Sequence, residues 1–189
     1  MSADVAYAIM THPVEAMRKL HTVKATGVAV ATLFAALLSV AVGFAVLLTL
    51  FTGGQSVLVL PVYVGLAVAT GAAAWLFVGW LTHAAAGVMG GYGRIGKFLS
   101  AYALAMMPFA LCTPVALIVS PLGGWVALAL FAAACMCLSL WSSLLTIVGI
   151  MEVYGLSAGA ALVALLLPCV LISAVQVLAF ITIIAALIM

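Results

Sequence analysis

Two isolated polar residues lie inside long apolar runs of this sequence and are the first candidates for chemistry, His83 and Gln176. A polar group within a bilayer is costly, so each is a functional candidate by default. A histidine that carries protons needs a titrating partner, and none of the acidic residues lies in the apolar runs. We therefore interpret His83 as a packed, singly hydrogen-bonded histidine, and we expect Gln176 to bond to a neighbouring helix.

A second group of polar residues flanks the apolar runs. Arg94 and Lys97 stand between the second and third runs, and Glu152 stands between the fourth and fifth, with Tyr92 and Tyr154 beside them. We expect these residues at one membrane depth, where Glu152 approaches Arg94 or Lys97 and ties two loops together. The alternative is that the two cations bind anionic lipid headgroups directly.

Catalytic and metal-binding patterns are missing from the sequence. It contains no Walker loop, no metal-binding histidine pair and no nucleophile elbow. Cys135 and Cys137 are two residues apart and would point in different directions on a helix, which fits neither a metal site nor a disulfide framework. We interpret them, with Cys112 and Cys169, as packing residues. We expect no catalytic, metal or cofactor site, no enzyme activity and no nucleic-acid partner.

Composition identifies the medium that surrounds these residues. Of the 189 residues, 70% are hydrophobic and 4% are charged. A soluble domain carries about a quarter charged residues to solvate its surface. So few charges cannot cover a surface that faces water, and the chain is therefore predicted to be an integral membrane protein whose main partner is the lipid bilayer.

The apolar runs set the fold class. A membrane-crossing helix needs about 20 residues, and none of the runs is long enough for two crossings and a turn. The sequence predicts an all-α, polytopic, five-transmembrane-helix bundle over residues 25–189. The predicted spans are about 25–52, 57–89, 98–120, 122–148 and 158–189.

All the cations fall on one side of this arrangement, which orients it. Loops 53–56 and 120–124 contain no lysine or arginine, and cations favour the cytoplasmic face. We therefore expect the N-terminus in the cytoplasm and the C-terminus outside. The cations are Arg18, Lys19, Lys24, Arg94 and Lys97.

Residues 1–24 form a separate cytoplasmic segment in this prediction. The stretch "PVEAMRKLHTVK" places Val14, Met17 and Leu20 on one helical face, and Pro13 suits a first helical turn. A short amphipathic helix lying along the membrane surface is predicted, and a frayed tail is the alternative.

Glycines and prolines predict how the helices pack and bend. Gly87 with Gly91, and Gly155 with Gly159, each form a GxxxG pattern that lets helix backbones approach closely in lipid. Pro108 and Pro168 are expected to kink their spans, as hinges or as fixed bends.

The order of three motifs resembles the Yip-domain family, the Ypt/Rab-interacting membrane proteins and their prokaryotic relatives. The first motif is the entry "HPVEAMRKL", and the second is the glycine turn from His83 to Gly91, followed by Tyr102 and Pro108. The third is Trp141, Gly149 and "YGLS" before the last run. The resemblance covers nearly the whole chain and implies a five-span fold.

The resemblance also bears on partners and location. Eukaryotic members of the family lie in the Golgi and endoplasmic reticulum, carry a long hydrophilic N-terminal region, and engage small GTPases. The short segment 1–24 argues against a small GTPase partner here. The chain resembles the compact bacterial or archaeal branch, which implies residence in the cell membrane as a multi-pass protein.

Three function classes follow. The first is a non-enzymatic organiser or accessory subunit of a membrane complex, whose partners are other membrane-protein chains or a second copy. The alternative is a small-solute or ion transporter or channel, acting as a monomer or as a dimer, which the proline-broken spans favour and the lack of intramembrane acids opposes. A lipid-modifying enzyme would need an acid, base or metal constellation that the sequence lacks.

Overall fold

A computed structural model describes residues 26–52 and 59–188, and this part of the chain is helical, without strands. The helices are α1 (Thr26–Thr52), α2 (Leu60–Val88), α3 (Ile95–Ala105), α4 (Cys112–Val119), α5 (Gly124–Tyr154) and α6 (Ala158–Ile188). Two 3₁₀ turns, Met107–Leu111 and Ser120–Leu122, follow α3 and α4. The predicted all-helical membrane bundle is confirmed, and the predicted interfacial helix in 1–24 lies outside the described residues.

Four stretches of the described chain are long and apolar enough to cross a membrane. They are Thr26–Leu50 in α1, the whole of α2, the combined segment Ile95–Leu122, and α5. The last helix, α6, is 31 residues long, and its first part, Ala158–Ala174, is a further apolar helix. A crossing needs about 20 residues, so the third span consists of α3 and α4 with their 3₁₀ turns.

Most buried hydrophobic residues of the bundle are small, and many of its large hydrophobic side chains are exposed. Ala86, Ala105 and Ala164 are completely buried, whereas Phe77 and Leu140 are more than half exposed. In a soluble protein such an apolar surface would mark an interaction site or an aggregation hazard. In lipid it is the expected pattern, because helices associate there through close packing of small residues rather than through exclusion of water.

One end of the bundle, which we call the turn end, contains two chain reversals. The α2–α3 turn contains residues 89–94, and the α5–α6 turn contains residues 155–157. Ala85, Phe98 and Tyr154, from α2, α3 and α5, belong to one buried cluster. Thr26 and Gly96 line one small cavity, so α1 also begins at the turn end.

The third span is interrupted near its middle, in a segment (residues 106–113) that we call the break. Pro114 has no N–H, so the carbonyl of Ala110 loses its usual i+4 donor. The Ser39 hydroxyl of α1 lies 2.8 Å from that carbonyl oxygen and donates to it. The Thr113 N–H donates to the Ser39 Oγ at 2.9 Å, and the Thr113 hydroxyl donates to the Ser39 carbonyl at 2.9 Å. The freed backbone groups of the break are thus satisfied by one serine of a neighbouring helix.

The two prolines predicted to kink helices lie in different settings. Pro108 is buried and opens the 3₁₀ turn of the break, where the α-helical pattern of the third span stops. Pro168 is also fully buried, inside α6. The two alternatives for each proline, a hinge and a fixed bend, both stay predictions.

Candidate functional site

Tyr154, the last residue of α5, is the centre of the turn end. Its side chain is buried, and its hydroxyl lies 2.6 Å from Nδ1 of His83 on α2. Its ring packs at a tilt against Phe98 of α3, with 5.5 Å between ring centroids. The tautomer of His83 decides which group donates in the hydrogen bond. One tyrosine therefore joins three helices, and the half-buried His83 is hydrogen-bonded to it.

Two glycines of the α2–α3 turn lie directly on Tyr154. A Cβ atom at Gly91 would stand 2.8 Å from the Tyr154 Cβ, and one at Gly93 would stand 2.5 Å from its Cδ1. The Gly91 N–H donates to the Ala86 carbonyl at 2.9 Å, which closes the turn. Gly90 beside it has a φ of 85°, a left-handed conformation that favours glycine. The turn can rest on the ring because these positions lack side chains.

An aromatic row continues from Tyr154 into the bundle. Phe98 stacks on Tyr102 with centroids 5.6 Å apart, and Tyr102 stacks on Trp75 of α2 at 5.3 Å. The rings of each pair are within 13° of parallel. Stacked aromatic pairs stabilise a fold by about 0.5–1.5 kcal/mol beyond the area that they bury. The glycine turn thus rests on Tyr154, which is itself packed against this row of rings.

The other side of the turn faces outward, and we call it the tip: Val88, Tyr92 and Arg94. Tyr92 is 97% exposed and Val88 is 87% exposed. Arg94, which precedes the first residue of α3, is exposed as well. Tyr92 and Tyr154 were expected to flank the cations together. They lie at the same end of the bundle but in opposite environments, because the glycine turn separates a buried ring from an exposed one.

The predicted ion pair between the two loops stays a prediction. Glu152 lies in the last turn of α5 and is half-buried, and Lys97 lies in the first turn of α3 and is exposed. Both residues lie at the turn end of the bundle.

The GxxxG glycines do not act as two helix-packing pairs in the described chain. A Cβ at Gly87 or Gly159 would meet no atom within 4 Å. Gly155 has a φ of 69° and ends α5, which is a termination role. Gly91 is in close contact, but it makes that contact from the turn rather than from a helix. The pattern could not show this, because spacing alone does not reveal which face a glycine occupies.

Gln176 of α6 is exposed. The side chains on either side of it lie outside the described residues, so its expected bond to a neighbouring helix stays a prediction.

Sequence reasoning missed Ser39 and Thr113, which hold the break. The available signal was Pro114, whose missing N–H requires an outside donor for the carbonyl of Ala110. It also missed that Cys112 and Cys135, distant in sequence, pack in one buried cluster. No group of three or more histidine, cysteine or acidic residues that could hold a metal ion occurs among the described residues.

Comparison with known proteins gives one family. A family model described as the Yip1 domain matches residues 7–187, nearly the whole chain. No curated protein and no solved structure matches the chain.

Proposed function

The chain belongs to the Yip1 domain family, a family of membrane proteins, and we propose that it is a non-enzymatic organiser or accessory subunit of a membrane complex. Its described helices are long and apolar enough to make it a multi-pass membrane protein. The proposed partner is another membrane-protein chain or a second copy, bound through the tip.

The observation that supports this function most is that the exposed tip belongs to a turn that is packed against buried rings. Tyr92 is almost fully exposed, although the turn that carries it is packed against the buried ring of Tyr154. Tyrosine and arginine are enriched among residues that dominate binding energy at protein interfaces. A turn that is already ordered loses little conformational entropy when a partner binds, which favours affinity.

We also propose that the turn end faces the cytoplasm of a cell in whose membrane the protein resides. Arg94 and Lys97 lie at this end, and α1 begins there, directly after the N-terminal cations. A basic end of this kind is typical of the inner side of a membrane. The test labels intact cells with a membrane-impermeant thiol reagent, using Tyr92→Cys and Leu122→Cys in a background where the four native cysteines are alanine. Labelling of position 122 and not of position 92 is expected, and the reverse result contradicts the orientation.

Purification in mild detergent from the native membrane tests the function itself. We expect a discrete set of chains to co-purify with the wild type at constant ratio. The double variant Tyr92→Ala/Arg94→Ala should lose most of them. Tyr63→Ala, which removes an exposed tyrosine of α2 away from the tip, is the matched control and should retain them. If the tip variant and the control keep the same chains, the tip is not the docking surface and the proposal fails.

A transporter or channel is the second candidate, and the break is the observation that favours it. Discontinuous helices near the middle of the membrane form substrate sites in many transporters. Here the freed carbonyl and N–H of the break are bound by Ser39 rather than open to a solute, which is why we rank this function second. Purified protein in liposomes with a panel of solutes and ions decides between the two, since reproducible flux above that of empty liposomes would replace the first proposal.

A further inference from the structure

A cavity of about 650 Å³, open to the outer surface of the bundle, lies between α2, the third span, α5 and α6. Tyr102 and Met106 of the third span line it, as do Ser142 of α5 and Leu165 and Cys169 of α6. Its volume falls within the range of about 300–1,000 Å³ that small-molecule sites occupy.

Two largely buried residues of the cavity wall, Tyr102 and Ser142, carry hydroxyl groups that form no hydrogen bond in the described part of the chain. Tyr102 is 9% exposed and Ser142 is 3% exposed, and the hydroxyl of neither forms a hydrogen bond with a described residue. A polar group in a membrane interior is costly unless it is satisfied. Both hydroxyls can donate one hydrogen bond to a molecule that enters the cavity.

The other hydroxyls of the wall are already used as donors. Ser139 donates to the Cys135 carbonyl at 2.7 Å, Ser143 donates to the Ser139 carbonyl at 2.8 Å, and Thr146 donates to the Ser142 carbonyl at 2.8 Å. Each of these bonds runs back along α5. Tyr102 and Ser142 are therefore the wall hydroxyls whose hydrogens remain available, and an acceptor oxygen is the group that matches them.

The remaining wall restricts the ligand further. Among the described residues, no aspartate, glutamate, lysine, arginine or histidine lines the cavity, so a charged headgroup would find no counter-charge from them. Leu140, Leu144, Leu162 and Leu166 line it and are themselves between 44% and 67% exposed. The cavity is therefore reached through the apolar outer surface of the bundle, which is the surface that lipid covers.

We propose that this cavity binds a neutral lipid, whose carbonyl oxygen accepts hydrogen bonds from Tyr102 and Ser142 while its hydrocarbon part lies against the leucines. A membrane offers two sources of such a carbonyl, the ester groups of a diacylglycerol and the ring of an isoprenoid quinone. Both present an uncharged acceptor on a hydrocarbon body, so the geometry identifies their shared chemistry.

The test uses the full chain in lipid nanodiscs with two probes, a diazirine-bearing diacylglycerol and an azido-quinone with an isoprenoid tail. Mass spectrometry maps the labelled peptides, and unlabelled diacylglycerol or quinone serves as the competitor. We expect saturable labelling within residues 139–147 or 162–169 by at least one probe. The probe that labels identifies the source, and labelling by both means that the carbonyl is the shared determinant.

Conservative variants then test the two hydroxyls. Tyr102→Phe keeps the stacked ring and Ser142→Ala keeps the small side chain, and each removes one donor. Loss of one hydrogen bond should raise the competitor concentration for half-displacement about five-fold. Tyr63→Phe and Ser100→Ala, at positions outside this cavity, are the matched controls and should leave it unchanged.

Two outcomes overturn the proposal. One is the absence of saturable labelling of the cavity segments by either probe, a result that the wild type alone can give. The other is saturable labelling whose half-displacement concentration is the same in both hydroxyl variants as in their controls.

Discussion

The turn end and the break both fix helices against one another, but they do so with different means. At the turn end, two glycines lie on the ring of Tyr154, and one hydrogen bond joins it to His83. At the break, Ser39 accepts or donates several hydrogen bonds with Ala110 and Thr113. The first junction depends on shape, and the second depends on backbone groups that a proline has left without partners.

The difference shows two ways in which a helical bundle can be made specific when water exclusion cannot drive helix association. A junction of shape should be most sensitive to added atoms, because nothing can move aside cheaply. A junction of hydrogen bonds should be most sensitive to a removed atom, because the unsatisfied groups have no water nearby. Substitutions at the two sites test whether the junctions differ in this way.

The largest effect is expected at the break. Ser39→Ala leaves the Ala110 carbonyl and the Thr113 N–H without partners, and each buried unsatisfied group costs about 1–3 kcal/mol. We expect the free energy of unfolding in mixed detergent micelles to fall by about 2–3 kcal/mol. Ser100→Ala, whose hydroxyl donates to the Gly96 carbonyl in its own helix, is the control and should change it by less than about 0.5 kcal/mol. Equal effects of the two variants would show that the break is not held by Ser39.

A slightly smaller effect is expected from an added methyl group at the turn end. In Gly93→Ala the new Cβ would stand 2.5 Å from a ring atom of Tyr154 and 2.8 Å from the Val153 carbonyl oxygen. Overpacking of this kind costs about 1–3 kcal/mol, and we expect about 2 kcal/mol by the same unfolding measurement. Gly96→Ala, where a Cβ meets no atom within 4 Å, is the control, and its stability should stay the same or rise. A Gly93 variant as stable as the Gly96 variant would contradict the shape argument.

The two junctions also differ in how well the sequence predicted them. The helical membrane bundle follows from composition and run length, because a bilayer demands long apolar helices whatever their contacts. The involvement of His83 and Tyr154 at one end follows from their positions near the ends of runs. That Tyr154 is buried while Tyr92 is exposed could not be predicted, since it depends on which side of the glycine turn each ring occupies. The partner of the break could not be predicted either, because Ser39 is 71 residues away from Ala110 in sequence.

A double substitution sharpens the account of the break. Pro114→Ala restores an N–H at the position from which a helix would bond to the Ala110 carbonyl. In the Ser39→Ala background it should recover about 1 kcal/mol of the lost stability, measured as a double-mutant cycle. Independent, additive effects of the two substitutions would indicate that Ser39 does not replace the missing N–H.

The smallest effect is expected from the single hydrogen bond of the turn end. Tyr154→Phe keeps the ring under the glycines and removes the bond to His83, which should cost about 1 kcal/mol. In a His83→Ala background the same change should cost much less, because the partner is already gone. A cost of several kcal/mol for Tyr154→Phe alone would mean that the turn end depends on hydrogen bonding as the break does.

The proposed function depends on the tip being a docking surface that the turn end holds in place. Site-specific photo-crosslinking in the native membrane tests this most directly, with a benzophenone amino acid at position 92, at position 63 as the control, and at position 92 in a Gly93→Ala chain expressed at the same level. We expect a discrete protein adduct from position 92, none of the same size from position 63, and a weaker one in the Gly93→Ala chain. Adducts with lipid alone at position 92, or a protein adduct of equal strength in the Gly93→Ala chain, would contradict it.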